Sequence, residues 1–151
     1  MTIAVDFDGT IVEHAYPRIG KPIPFAIETL LQLQKDGHRL ILWTVRTGDL
    51  LQEAIEYCAE RGLLFYAENE NYRGETEELA IGKYHRKLDA DLFIDDKSLG
   101  GLPDWGVIYN AVKVTLAGGD ALQAMASGSA MPESKKKWHK FCTRIKCVKH
   151  D

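Results

Sequence analysis

An apolar run, Ile3-Ala4-Val5, leads straight into Asp6-Phe7-Asp8-Gly9-Thr10, and few folds have room for that order. With that apolar run at its centre, Thr2 to Phe7 predicts a strand covered on both faces, the setting of a parallel sheet. Its acids must then stand where the strand end meets solvent. In an extended segment side chains at i and i+2 point the same way, so Asp6 and Asp8 are expected to converge. Two carboxylates at one spot repel unless a cation or a shared proton relieves them. Mg²⁺, a hard ion that works with carboxylates and a substrate phosphate, is the simplest relief. Gly9 allows a sharp backbone turn beside that spot.

The rest of the chain alternates strands with helices. Residues Thr10 to Pro22 have no clear period and hold Pro17, Gly20 and Pro22, so a loop or small hairpin is expected. Pro24 suits the first turn of a helix in which Phe25, Ile27, Leu30, Leu31 and Gln34 to Lys35 follow a helical period, with Gly37 as its stop. Arg39 to Trp43 predicts a second buried strand. Asp49 with Gln52 resembles a capping box for a helix burying Leu51, Ala54, Ile55 and Cys58 and ending at Gly62. Leu63 to Tyr66 predicts a third strand, Asn69 to Glu75 a loop, and Glu77 to Lys87 a helix. Leu92 to Ile94 predicts a fourth strand ending at Asp95-Asp96, and Gly106 to Tyr109 a short fifth. The fold class expected is α/β, a doubly wound and mostly parallel sheet with helices on both faces. Ligands in such sheets bind outside the carboxyl ends of the strands. Asp6 and Asp8, Thr44 and Arg46, and Asp95 and Asp96 follow three different strands at that one edge.

Composition narrows the function classes. The 151 residues suit one domain, which can bury about 70% of its unfolded surface. No apolar run reaches about 18 residues, so no membrane span is expected. The N-terminus lacks a basic segment followed by a long apolar one, which argues for a cytoplasmic protein. Cys58, Cys142 and Cys147 are too few and odd in number for a disulfide framework. Ser134 to Asp151 holds seven Lys/Arg and one acid, a charge of +6, while the other 133 residues sum to −9. An acidic body offers no general footprint for nucleic acid. We therefore expect a core over residues 1–126 and a basic extension over 127–151.

These motifs resemble those of the haloacid dehalogenase-like (HAD) superfamily of phosphohydrolases over roughly residues 1–116. Its first motif matches as Asp6-Phe7-Asp8-Gly9-Thr10, its second as Leu42-Trp43-Thr44, its third as a basic residue near Lys87, and its fourth as Phe93-Ile94-Asp95-Asp96. The resemblance implies a phosphatase in which Asp6 attacks phosphorus and becomes an aspartyl-phosphate. Asp8 would protonate the leaving oxygen and then take a proton from water. Mg²⁺ would bind Asp6, the backbone carbonyl of Asp8, and Asp95, with Asp96 as a further ligand or water-positioner. Gly9 and Thr10 would line the phosphate site, and Thr44 would hydrogen-bond a phosphoryl oxygen. Arg46 either grips the phosphate bidentately or forms a surface salt bridge, and its place resembles the Ser-x-Arg of polynucleotide phosphatases. The phosphate-site lysine is Lys87 or Lys83, which share a helix face if that helix is continuous.

Glu13 to Lys21 correspond to the mobile flap of the family, where His14 and Arg18 either read the leaving group or are ordinary loop residues. No large insert follows the second motif, so the chain resembles the members without a cap domain. An open site cannot exclude water by itself. It therefore acts on a large or extended substrate, or a neighbouring subunit of a homo-oligomer covers it. A small phosphorylated substrate or a phosphorylated nucleic-acid end fits this reading. The rivals are a phospho-accepting receiver-like domain and a catalytically silent phosphate-binding protein on the same fold. In the tail, His139, Cys142, Cys147 and His150 offer a zinc-like donor set whose spacing matches no common finger. A packed or disordered basic extension is the better expectation.

Overall fold

The computed structural model describes residues 1–75 and 87–119. Four strands, β1 (Thr2–Val5), β2 (Arg39–Leu42), β3 (Ala67–Glu68) and β4 (Leu92–Ile94), form one sheet in the order β3-β2-β1-β4. Every pairing in it is parallel. Helices α1 (Ala26–Lys35) and α2 (Gly48–Ala59) fill the first two crossovers. The result is a small α/β fold with a parallel sheet flanked by helices. Among the described residues no helix is long and apolar enough to cross a membrane.

The unbroken apolar runs are explained by burial on both faces. Ile3, Ala4 and Val5 are all buried, as are Leu40, Ile41 and Leu42. Ala4, Ile41, Ala67 and Leu88 form one cluster, with Trp43 and Ala90 packed on it. Both crossover helices end in the same way. Gly37 N–H and His38 N–H donate to the Gln34 and Leu33 carbonyls after α1, and Gly62 and Leu63 repeat the pattern on Ala59 and Cys58 after α2. These paired bonds satisfy carbonyls that a helix end leaves open.

Several expected elements move. β1 stops at Val5, because the chain bends at Phe7. Pro24 precedes α1 rather than lying in it, and Phe25 takes a left-handed conformation (φ 66°) as the helix turns in. The capping box at Asp49 and Gln52 does not form. Thr47 stands at the start of α2, Asp49 lies in its first turn, and Gln52 donates to Glu56 instead. Within α2, Ala54 and Cys58 are buried, but Leu51 and Ile55 are only half-buried.

The third strand is β3, at Ala67–Glu68, not Leu63 to Tyr66. Leu63 and Phe65 are buried while Leu64 and Tyr66 are exposed, so the alternation of an extended segment is present. Ladder bonds to β2 begin only with Tyr66 N–H to the Leu40 carbonyl. The expected fifth strand over 106–109 is instead part of helix α3 (Trp105–Leu116). Asp104 Oδ1 accepts the Gly106 N–H at 2.8 Å, the bond of a helix N-cap. Buried Trp105, Ile108, Ala111 and Val112 follow a helical period. The first compact unit of the chain is Met1–Gly106, and the acidic site described below lies wholly within it. The helix expected over Glu77 to Lys87, with Lys83, and the tail with His139, Cys142, Cys147 and His150 lie outside the described residues, except for Lys87 itself.

Candidate active site

Sheet register sets the site. Val5 pairs with Leu42 on one side and with Ile94 on the other. The next residues, Asp6, Trp43 and Asp95, therefore emerge level at the carboxyl edge. Asp6 N–H still donates to the Ile94 carbonyl (2.9 Å), and Trp43 N–H to the Val5 carbonyl (2.8 Å). The chain runs outward from β1 through β2 to β3 and then returns to β4 on the other flank of β1. The strand order thus reverses between β1 and β4, where doubly wound sheets bind their ligands.

Asp6, Asp95 and Asp96 meet at that reversal. One carboxylate oxygen from each lies within 4.8 Å of the others. Thr10, fully buried, ties the two strand ends together. Its hydroxyl donates to Asp6 Oδ2 (3.2 Å) and accepts the Asp96 N–H (3.1 Å). Asp95 Oδ1 accepts the Lys97 N–H at 2.7 Å. Gly9 sits at φ +92°, and a Cβ there would stand 2.7 Å from the Asp96 carboxyl carbon. Only glycine lets the turn pass this close to the acid.

Burial pushes the Asp6 carboxyl up from 3.8 to about 6. The Phe7 backbone N–H and the Thr10 hydroxyl pull the other way, and the negative charges of Asp95 and Asp96 add to the rise. Buried Asp96 Oδ1 has no hydrogen-bond partner. Three hard oxygen donors, mutual repulsion and one unanswered buried oxygen fit a divalent cation such as Mg²⁺.

A pH dependence follows from Asp6. Without metal the folded chain holds the Asp6 proton up to about pH 6, whereas the unfolded chain releases it near 3.8. The folded state therefore binds more protons in that window, and its stability falls as pH rises through it. A divalent cation held by the three acids would compete with the same proton. The rise in Tm caused by Mg²⁺ is expected to be larger at pH 7.5 than at pH 5, and the difference should vanish in Asp6→Asn. Thermal unfolding with and without Mg²⁺ at the two pH values measures this.

The chain bends after Asp6 and the i, i+2 rule applies only to extended backbone, so Asp8 is not one of the three acids that cluster within 4.8 Å. Both its oxygens are taken by Arg46, with Nε to Oδ2 and Nη2 to Oδ1 each at 2.7 Å. Asp8 is 5% exposed and Arg46 0%, so this is a buried pair rather than the surface salt bridge weighed for Arg46. Nor is the guanidinium open to a phosphate. It also donates to the Pro17 and Arg18 carbonyls, each at 2.9 Å, and lies against the Phe7 and Tyr16 rings. The bond to Asp8 raises the Arg46 pKa still further.

Thr44 Oγ1 accepts the Arg46 N–H at 3.2 Å, and Thr44 N–H donates to Asn69 Oδ1 at 2.8 Å. Asn69 Nδ2 in turn donates to the Arg46 carbonyl at 3.3 Å. His14 and Arg18 are exposed on the loop between β1 and α1, and Lys87 is exposed before Leu88. Asn69 was not foreseen as part of the site. It follows β3 directly, and a third strand placed at Leu63 to Tyr66 hides that it stands at a strand end.

No protein-family model matches the chain. A solved structure, that of a conserved protein coded by a locus of Bacteroides thetaiotaomicron, is 64% identical with a TM-score of 0.70. The match covers 75% of this chain and 89% of that one. The chain belongs to the family of that Bacteroides protein. A curated Bacillus cereus protein described as a "Putative nucleotidase" is 27% identical over 90 residues, or 58% of this chain. The matched region spans 46% of that relative's length, slightly under half. Taken with the acidic triad, these matches make the chain a distant HAD-like, DxD-bearing α/β homologue.

Proposed function

We propose that the chain is a Mg²⁺-dependent phosphomonoester hydrolase of the HAD type, working through a phosphoaspartate on Asp6. The observation that carries this is the meeting of Asp6, Asp95 and Asp96 within 4.8 Å at the ends of two adjacent parallel strands. Asp6, Asp95 and Asp96 would hold the ion together with the Asp8 backbone carbonyl. When bound, Mg²⁺ offsets the repulsion between the Asp6 carboxylate and an anionic phosphate.

Asp6 attacks phosphorus as the bond to the leaving oxygen breaks, and Asp8 supplies that oxygen with a proton. Water then attacks the acyl phosphate, Asp8 takes its proton back, and phosphate leaves with Asp6 regenerated. Thr10 keeps Asp6 oriented through both steps. Lys87 or Lys83 would answer the charge of the phosphate. A nucleotide is the leading substrate class, since the Bacillus cereus relative is described as a "Putative nucleotidase".

Hydrolysis of p-nitrophenyl phosphate tests the reading. Turnover is expected with Mg²⁺, should disappear in EDTA, and should return when Mg²⁺ is restored in excess. Equal rates with and without the metal contradict the proposal.

A further inference from the structure

Arg46 is the best-connected side chain near the acids, yet it has no place in the reaction as written above. Its guanidinium makes two bonds to Asp8, one to the Pro17 carbonyl and one to the Arg18 carbonyl. Its backbone is pinned on both sides, by Thr44 Oγ1 at its N–H and by Asn69 at its carbonyl. The anchor therefore belongs to the segments that follow β2 and β3, while the bonded groups belong to the segment after β1. Tyr16, 49% exposed, rests its ring over the guanidinium at 5.4 Å.

Each Asp8 oxygen accepts one bond from Arg46 and keeps a second lone-pair direction. The pair therefore fixes where Asp8 stands, and one of the free lone-pair directions holds the proton, taken up from solvent or from the substrate monoanion, that Asp8 passes to the leaving oxygen; the transfer restores the carboxylate that Arg46 holds. A planar fork does this better than a point charge could, because two parallel bonds set an angle as well as a distance.

We propose that Arg46 is a positioning residue, which fixes the Asp8 carboxylate and the Tyr16–Arg18 loop as one unit so that Asp8 meets the leaving group at a set place. This rests on the phosphatase reading above, with Asp8 as the acid. Its consequence is selective. A leaving group that departs poorly as an anion needs the proton from a well-placed acid, whereas p-nitrophenolate departs without much help. A merely structural arginine would lower both rates together.

The test compares kcat/KM for p-nitrophenyl phosphate and for glycerol phosphate in the wild type and in Arg46→Lys, which keeps the charge and loses the fork. The aryl-to-alkyl ratio is expected to rise about 100-fold, the lower range of what general acid catalysis supplies. In an Asp8→Asn background the same substitution should add no further rise. An unchanged ratio with both rates reduced overturns the inference. If Arg46→Lys does not fold by circular dichroism, Tyr16→Ala carries the test, since it removes only the exposed ring that braces the guanidinium. The same ratio should rise there, and an unchanged ratio overturns the inference equally. Asp6→Asn separates the two levels. Its retention of activity on both substrates would take down the phosphatase reading itself, and this inference with it.

Discussion

Asp6→Asn is expected to lower turnover of p-nitrophenyl phosphate by about 10⁴-fold or more, since it deletes the nucleophile of a covalent mechanism. The amide is nearly the same shape and can still accept the Thr10 hydroxyl, so the turn and the register need not change. Stability should move the other way. Asp6 is half-buried, its carboxyl pushed up to about 6, and it faces two further acids. Removing its charge relieves that repulsion, and the metal-free variant is expected to melt at or above the wild-type temperature at pH 7.5. Loss of activity with unchanged or higher Tm separates chemistry from folding. Loss of both would mean that Asp6 acts mainly as scaffold.

Arg46→Ala is expected to cost about 3–5 kcal/mol of stability, the usual penalty when one partner of a buried ion pair is removed. The Asp8 carboxylate would be left buried with no counter-charge, and the Pro17 and Arg18 carbonyls would lose their donor. Native domains carry only about 5–15 kcal/mol in total, so this variant would stand near the threshold of unfolding. The double variant Arg46→Ala/Asp8→Ala should recover part of the loss, because it removes the orphaned charge. Urea denaturation of the three proteins measures both effects. A loss of under about 1 kcal/mol in Arg46→Ala, the level of an exposed pair, would show that the pair is solvated.

The acids at the ends of β1 and β4 were legible because each sits directly after an apolar run and register does the rest. Asp6, Asp95 and Asp96 needed no knowledge of distant contacts beyond the pairing of two strands. Asp8 was not legible in the same way. Its expected direction assumed that the strand continued, and the chain bends at Phe7 before reaching it. Its partner Arg46 lies 38 residues away, and no periodicity reports which buried charges find each other. Arg46 invited a phosphate role because it follows a strand end, but burial settles what a side chain can touch.

Short apolar segments were the weaker part of the fold reading. Gly106 to Tyr109 fits a strand and a helix equally well in isolation. Asp104 decides the matter by capping the Gly106 N–H, and the buried spacing from Trp105 to Val112 confirms a helix. Leu63 to Tyr66 alternates as a strand should, yet lies before the ladder rather than in it, since sheet membership depends on where α2 returns the chain. The Asp49 and Gln52 pattern matched a capping box in spacing alone; Thr47 comes before them and the helix starts there.

The central claim is that Asp6 becomes transiently esterified to phosphate beside Asp95 and Asp96. Borohydride reduction of an acyl phosphate converts the aspartate that carried it into homoserine. The chain should therefore be quenched during Mg²⁺-dependent turnover, reduced, digested and sequenced by mass spectrometry. Homoserine at position 6, absent in EDTA and in Asp6→Asn, is the predicted result. Active turnover with aspartate intact at position 6, or with homoserine at another acid, would contradict it.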